Sequence, residues 1–149
     1  MVKAMNWKVV SLVALVGLVA CVVFLFLNHS IFGTGPATVA IQIFAVSLMV
    51  WARFAFGVRS FHATANPTAG GLVTRGPYRY IRHPIYAAIL YFVWAGIGAH
   101  LSVVSVAAGV LASIMSAVRM VAEEKLLVRA YPEYADYART TTRVFPFLL

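Results

Sequence analysis

Long apolar runs separated by short polar connections set the rhythm of this sequence, with the period of membrane-length helices rather than of alternating strands. From Val9 to Leu27 no charged residue interrupts a stretch long enough to cross a hydrocarbon core. The uncharged segment from Asn28 to Pro36 is rich in turn formers. Pro36 suits the first turn of a second helix from Ala37 to Gly57, with Arg53 near enough to its end to snorkel. A third span starts at Pro84 and ends near Ala99, short for a full crossing, and a fourth runs from Ser102 to Val121. His100 and Leu101 leave almost no loop between them. The last two spans are therefore expected to form an antiparallel hairpin, packed tightly through Ala95, Gly96, Gly98, Ala107, Ala108, Gly109, Ala112 and Ser113.

Composition turns this pattern into a class. Of 149 residues, 62% are hydrophobic and 11% charged, far from the balance of a soluble domain, so the bilayer is the solvent. The expectation is one all-α integral membrane domain over residues 1–149, with about four transmembrane helices. Two of them fall in 9–57, and the chemistry-bearing core in 70–149. Cys21 is the single cysteine and lies in an apolar run, which excludes an intrachain disulfide, a CxxC redox pair and a thiolate zinc site. The run after Lys8 ends in Phe24, Leu25, Phe26 and Leu27 without a small-x-small exit, unlike a cleaved signal peptide.

Charge adds orientation. Twelve Lys and Arg against four Asp and Glu give +8, a balance that in a soluble chain would suggest nucleic acid. Here the basic residues flank the apolar spans, where they set topology and meet anionic headgroups, so no nucleic-acid partner is expected. Lys3 and Lys8 precede the first span. Arg59, Arg75, Arg79 and Arg82 lie between the second and third, and Lys125, Arg129, Arg139 and Arg143 follow the fourth. The remaining connections carry no Lys or Arg, so both termini and the middle loop are expected to face the cytoplasm, at the inner membrane if the cell is bacterial. The loop from Val58 to His83 and the tail from Glu123 to Leu149 would then share one membrane face.

Two segments on that face carry candidate chemistry. In Gly76-Pro77-Tyr78-Arg79-Tyr80-Ile81-Arg82-His83-Pro84-Ile85-Tyr86, Pro84 favours the first helical position and makes His83 the N-cap. The first free amides of the third helix, with Arg79 and Arg82, would form an anion site; the alternative is a basic and aromatic collar at the headgroups. In Arg119-x-x-x-Glu123-Glu124, spacing puts Arg119 and Glu123 on one helix face, followed by the tail Leu126-Leu127-x-x-x-Tyr131-Pro132-x-Tyr134-x-x-Tyr137. A plain ion pair closing the helix is the alternative. Two acids at a helix C-terminus oppose the macrodipole, however, and call for a positive partner or a ligand. A ligand with a carboxylate at one end and an amine, a sulfonium or ribose hydroxyls elsewhere would use both segments, and S-adenosylmethionine carries all of these. Metal fits less well, because His83 has no second histidine at ligand spacing and there is no HExxH.

The run Gly70-Gly71-Leu72-Val73-Thr74-x-Gly76-Pro77-Tyr78-Arg79-Tyr80-Ile81-Arg82-His83-Pro84-x-Tyr86, then Arg119-x-x-x-Glu123-Glu124, Tyr134-x-x-Tyr137 and Arg143-x-x-Pro146, resembles the isoprenylcysteine carboxyl methyltransferase family and its phospholipid methyltransferase relatives. The resemblance covers Gly70 to Pro146. It implies an S-adenosylmethionine-dependent membrane methyltransferase whose lipophilic acceptor, most like a prenylcysteine carboxylate, enters from the bilayer. It also implies that Gly70, Gly71, Leu72, Val73, Tyr78, His83, Pro84, Ile85, Tyr86 and Glu123 meet the cofactor and that Arg119 meets the acceptor. Ala88 departs from the family, which often has glycine there. The chemistry is an in-line displacement, for which alignment and desolvation suffice. A carboxylate acceptor needs no base, whereas an amine or thiol would call on Glu124 or Tyr86. A phospholipid or small thiol is an alternative acceptor. A small transporter, which would need more mid-span polarity than Ser11, Gln42, Ser47 and Ser105 provide, and a non-catalytic scaffold are the rival classes.

Overall fold

The computed structural model describes residues 6–57 and 71–146, and among them the regular secondary structure is helical. Five α-helices follow one another: α1 (Trp7–Leu27), α2 (Pro36–Phe56), α3 (Pro84–Ala99), α4 (Val103–Ala130) and α5 (Tyr134–Thr140). A 3-10 turn, Gly76–Arg79, precedes α3. Each start has a local cause. Asn6 accepts from the Lys8 amide, Pro36 and Pro84 occupy the first turns of α2 and α3, and Ser102 forms a capping box with Ser105 at the head of α4.

Three of these helices, α1, α2 and α4, are long and apolar enough to cross a membrane, which makes this a membrane protein. α3 has sixteen residues, about 24 Å of helix against a hydrocarbon core of about 30 Å. The four-span expectation is therefore met in length by three helices and a shorter apolar fourth.

α4 corrects the sequence reading more sharply. It runs to Ala130, well beyond Val121, because Ala122-Glu123-Glu124-Lys125-Leu126-Leu127 is made of strong helix formers and the next breaker is Pro132. Glu123 and Glu124 therefore lie inside a helix and not at its C-terminus, so the macrodipole argument for them does not hold.

The tight α3–α4 hairpin also needs correction. Its turn is short, but α4 packs most extensively along α1, and α2 along α3. The buried stripe of α1 is Ser11, Ala14, Leu18, Cys21 and Leu25, at alternating steps of three and four. Facing it, α4 brings Ala112 against Leu18 and Cys21, and Gly17 of α1 leaves room for the Met115 sulfur. Lipid tails are as apolar as these side chains, so close packing of small residues, not transfer from water, holds the pair. Gly109 does receive Ile97 and Trp94 of α3, while Gly96 receives the backbone of Ile31 in the α1–α2 connection.

Buried Gln42 braces the opposite end of the bundle. Its Nε2 donates to the carbonyls of Ile31 (2.7 Å) and Phe92 (3.1 Å), and its Oε1 accepts from the Gly33 amide (2.9 Å), joining α2, α3 and the first connection. Ser47 back-bonds to the Ile43 carbonyl and Ser105 serves the α4 cap, so these mid-span polar groups are accounted for structurally.

A Cβ added at Gly96 would fall within the contact radius of the Ile31 carbonyl, whereas at Gly98 it would meet nothing within 4 Å. Gly96→Ala should cost about 1–3 kcal/mol and lower the melting temperature in detergent by several degrees, with Gly98→Ala unchanged or slightly more stable. Equal melting temperatures for the two variants would contradict this packing.

Candidate active site

The polar groups converge where the head of α3 meets the lower half of α4. Pro84 fixes the first turn of α3, and the preceding His83 stands at the N-cap with its carbonyl accepting from the Ala87 amide. The His83 side chain makes no cap hydrogen bond. Instead its ring spans the two glutamates, with Nε2 3.1 Å from Oε1 of Glu124 and Nδ1 3.8 Å from Oε2 of Glu123. The expected role of His83 as a cap is thus met by position and not by its ring.

Adjacent residues on a helix point about 100° apart, so Glu123 and Glu124 address different neighbours. Glu123 faces the head of α3. Its Oε1 accepts from the Tyr86 hydroxyl (2.5 Å) and lies 3.2 Å from Nε of Arg119, one turn back on α4. Arg119 also donates from Nε to the Tyr86 oxygen and from NH1 to the Ser11 carbonyl of α1 (3.2 Å). Glu124 faces the loop and the tail. Its Oε1 accepts from Arg82 (3.3 Å) and from Arg143 Nε (3.1 Å), and its Oε2 from Arg143 NH2 (2.9 Å). The paired donors of Arg143 make this a bidentate contact, and it holds the Arg143 pKa above its ordinary value.

The expected anion site built from Arg79, Arg82 and the α3 amides does not form in that shape. Arg79 is exposed, and Arg82 is committed to Glu124 and to the carbonyls of Ala138 (2.5 Å) and Thr141. This commitment follows from the path of the tail. Residues 141–143 run parallel to residues 80–83, with the Arg82 amide donating to Thr142 (2.7 Å), the His83 amide to Arg143 (3.1 Å) and the Thr142 amide to Tyr80 (3.2 Å). A strap of tail is thereby laid against the head of α3.

Tyr78 is buried in the 3-10 turn, packs its ring on Phe56 (5.5 Å) and gives its carbonyl to the Tyr137 hydroxyl (2.6 Å). Burial pushes the Tyr137 phenol up to about 12 and raises those of Tyr78 and Tyr134, so all three are neutral hydrogen-bonding groups near neutral pH. Pro84 is buried and Ile85 half-buried beside Tyr86. Gly71 has φ +83, which favours glycine, and leads into half-buried Leu72 and Val73, but no hydrogen bond described here joins these three to the glutamates. Gly70 lies outside the described residues. Ala88 packs with Leu48 and Met49, away from the glutamates.

The structure thus brings together His83, Tyr86, Arg119, Glu123 and Glu124, adds Arg82, Arg143 and the Ser11 carbonyl, and leaves Arg79 outside. The role of Arg143 was foreshadowed by its place in a basic tail and in the Arg143-x-x-Pro146 element of the resemblance, neither of which named Glu124 as its partner. Among the described residues no three His, Cys, Asp or Glu side chains gather closely enough to hold a metal ion.

The sequence profile of the phospholipid methyltransferase family matches residues 30–134, more than half of the chain and nearly all of this cluster. The chain belongs to the phospholipid methyltransferase family. That is a family of membrane methyltransferases, in keeping with the expected kinship. Over 80 residues, 52% of this chain, it is 42% identical to the cobalt-zinc-cadmium resistance protein CzcN of Cupriavidus metallidurans and 40% identical to the nickel-cobalt-cadmium resistance protein NccN of Alcaligenes xylosoxydans xylosoxydans. The match spans 36% and 37% of the length of those relatives. No solved structure matches.

Glu124 is mostly buried and Arg143 about half exposed, so breaking their pairing should cost about 2–3 kcal/mol, below the range for fully buried pairs. Glu124→Ala is expected to lower the melting temperature and to speed tryptic cleavage at Arg143. Removing the exposed Asp136–Arg139 pair by Asp136→Ala should do neither. Equal behaviour of the two variants would mean that the tail is not held by Glu124.

Proposed function

We propose that this family member is an S-adenosylmethionine-dependent methyltransferase acting on a lipophilic acceptor, with its site on the cytoplasmic side of a bacterial inner membrane. The observation that carries the reading is the Glu123–Tyr86–Arg119 triangle beside His83, on the segments that the family resemblance assigns to cofactor and acceptor. The residues fit the cofactor. Oε2 of Glu123 has His83 at 3.8 Å, beyond hydrogen-bond length, and can receive an ammonium group, while the buried Tyr134 hydroxyl next to the cluster has no hydrogen-bond partner. When bound, S-adenosylmethionine supplies a methyl group on a cationic sulfur that leaves as a neutral thioether.

The side chains then have separable tasks. Glu123 and His83 orient the cofactor's charged end, and Arg119 holds Glu123 and Tyr86 in register. Arg119 is also the cation that a carboxylate acceptor would meet, as the kinship with prenylcysteine enzymes suggests. Of the two candidate bases for an amine or thiol, Tyr86 is better placed, because its hydroxyl already donates to Glu123 and can pass a proton there. Glu124 already accepts from Arg82 and Arg143, with His83 alongside, and is better suited to holding the tail.

A groove of about 550 Å³, lined by Thr38, Ile41, Leu90, Tyr91, Trp94 and Phe145 among others, supports a lipophilic acceptor. Its hydroxyls are satisfied within the protein, Tyr91 by the Val144 carbonyl, Thr38 by Gly35 and Ser113 by Gly109, so the wall offers a hydrocarbon chain contact without hydrogen bonds. Ser113 and Glu124 lie on one face of α4, about three turns apart, with buried Met120 between them. The names of the two relatives suggest metal exposure as a setting in which to look for the acceptor lipid.

Detergent-purified protein incubated with methyl-labelled S-adenosylmethionine and membrane lipid extract should yield a labelled lipid, and mass spectrometry would separate an ester from a methylated amine. Removing a buried charged hydrogen bond costs about 2–5 kcal/mol, so Glu123→Gln should weaken cofactor binding at least tenfold. Arg119→Ala should lower turnover at least tenfold and by more than it lowers that affinity. Loss of thermal stability in both variants with binding and turnover intact would reduce the triangle to a structural ion pair.

A further inference from the structure

Three buried side-chain polar atoms among the described residues have no hydrogen-bond partner: Ser11 Oγ, Ser116 Oγ and Tyr134 OH. The serines lie on helices and can rotate toward the carbonyl one turn back, as Ser47 and Ser113 do. A phenol has no such option. Tyr134 is 2% exposed, and its ring meets that of Tyr137 edge-on at 5.9 Å. Two other tyrosines around the cluster use their hydroxyls, Tyr86 on Glu123 and Tyr137 on the Tyr78 carbonyl. Tyr134 lies within electrostatic reach of Glu124, Arg82 and Arg143, yet both arginines are bonded to Glu124 and none of the three bonds to Tyr134.

A donor kept out of water and left unbonded is a standing cost to the fold. We infer that the Tyr134 hydroxyl is a ligand-binding group, reserved for the nucleoside end of the bound S-adenosyl compound. The inference rests on the methyltransferase reading above and adds a residue and an orientation to it. Two features select the nucleoside end. The Tyr134–Tyr137 ring pair, tied by the Tyr137 hydroxyl to the Tyr78 carbonyl beside the Tyr78–Phe56 pair, offers aromatic surface for a planar base, with the Tyr134 hydroxyl for a ring nitrogen or a ribose oxygen. The charged amino-acid end is better served on the far side of the cluster, where Glu123 and His83 stand.

The test is Tyr134→Phe, which removes one oxygen and keeps the ring. Calorimetric titration of parent and variant would use S-adenosylhomocysteine and 5′-methylthioadenosine, which lacks the amino-acid end, alongside melting temperatures without ligand. The expected result is an unchanged or higher melting temperature and affinity for both ligands lowered by roughly five- to tenfold. Unchanged affinities would overturn the inference and leave the phenol as a buried group served by solvent. A loss confined to S-adenosylhomocysteine would overturn the assignment to the nucleoside end. A fall in melting temperature without ligand would overturn it too, by showing that the hydroxyl already has a structural partner. If the parent binds neither ligand, the methyltransferase reading fails first and this inference with it.

Discussion

Two adjacent carboxylates on one long membrane helix are the constraint around which this protein is arranged. A charged group near the bilayer is tolerated only when paired or wetted, and Glu123 and Glu124 lie on neighbouring faces of α4, where the His83 ring reaches toward both but cannot neutralise them alone. The chain answers with cations and donors from separate places. Arg119 comes from the same helix, His83 and Tyr86 from the head of α3, Arg82 from the loop before it and Arg143 from the tail. Each of these contacts fixes a piece of tertiary structure. Arg119 reaches across to the Ser11 carbonyl and ties in α1, and Arg82 and Arg143 draw the strap against residues 80–83.

The two glutamates are thereby divided in character. Glu124 is held by two guanidinium groups and the His83 ring, an arrangement that fastens the tail. Glu123 meets one guanidinium where Glu124 meets two, and sits beside a tyrosine able to exchange a proton with it. The short, largely buried α3 supports this division. Its first turn supplies His83 and Tyr86, its middle meets the strap through Tyr91 and Val144, and its last turn closes on the α1–α2 connection at Gly96.

Much of this was legible in the sequence, for identifiable reasons. The spans are set by uninterrupted apolar runs and by prolines at helix starts, so α1, α2 and α3 fall within two residues of their expected bounds. Arg119 and Glu123 are paired by helical spacing alone. The full length of α4 was less visible, because polar residues after Val121 read as an exit from the membrane even though none of them breaks a helix before Pro132. The partner of α4 was hidden as well, since a stripe such as Ser105, Gly109, Ala112 and Ser116 shows that something packs closely without naming it. Arg82 and Arg143 were counted among the topology-setting charges, with Arg82 also given to an anion site, and their meeting at Glu124 depends on a parallel pairing of segments some sixty residues apart that local pattern does not encode.

The central claim is that the cluster beside His83 is where a ligand binds, and hydrogen exchange measured by mass spectrometry with and without S-adenosylhomocysteine tests it most directly. Binding should slow exchange in the segments around His83 to Tyr86, Glu123 to Tyr137 and the strap after Thr141, with the α1–α2 connection near Gly33 unchanged. Protection centred on that connection, or none at saturating ligand, would contradict the account.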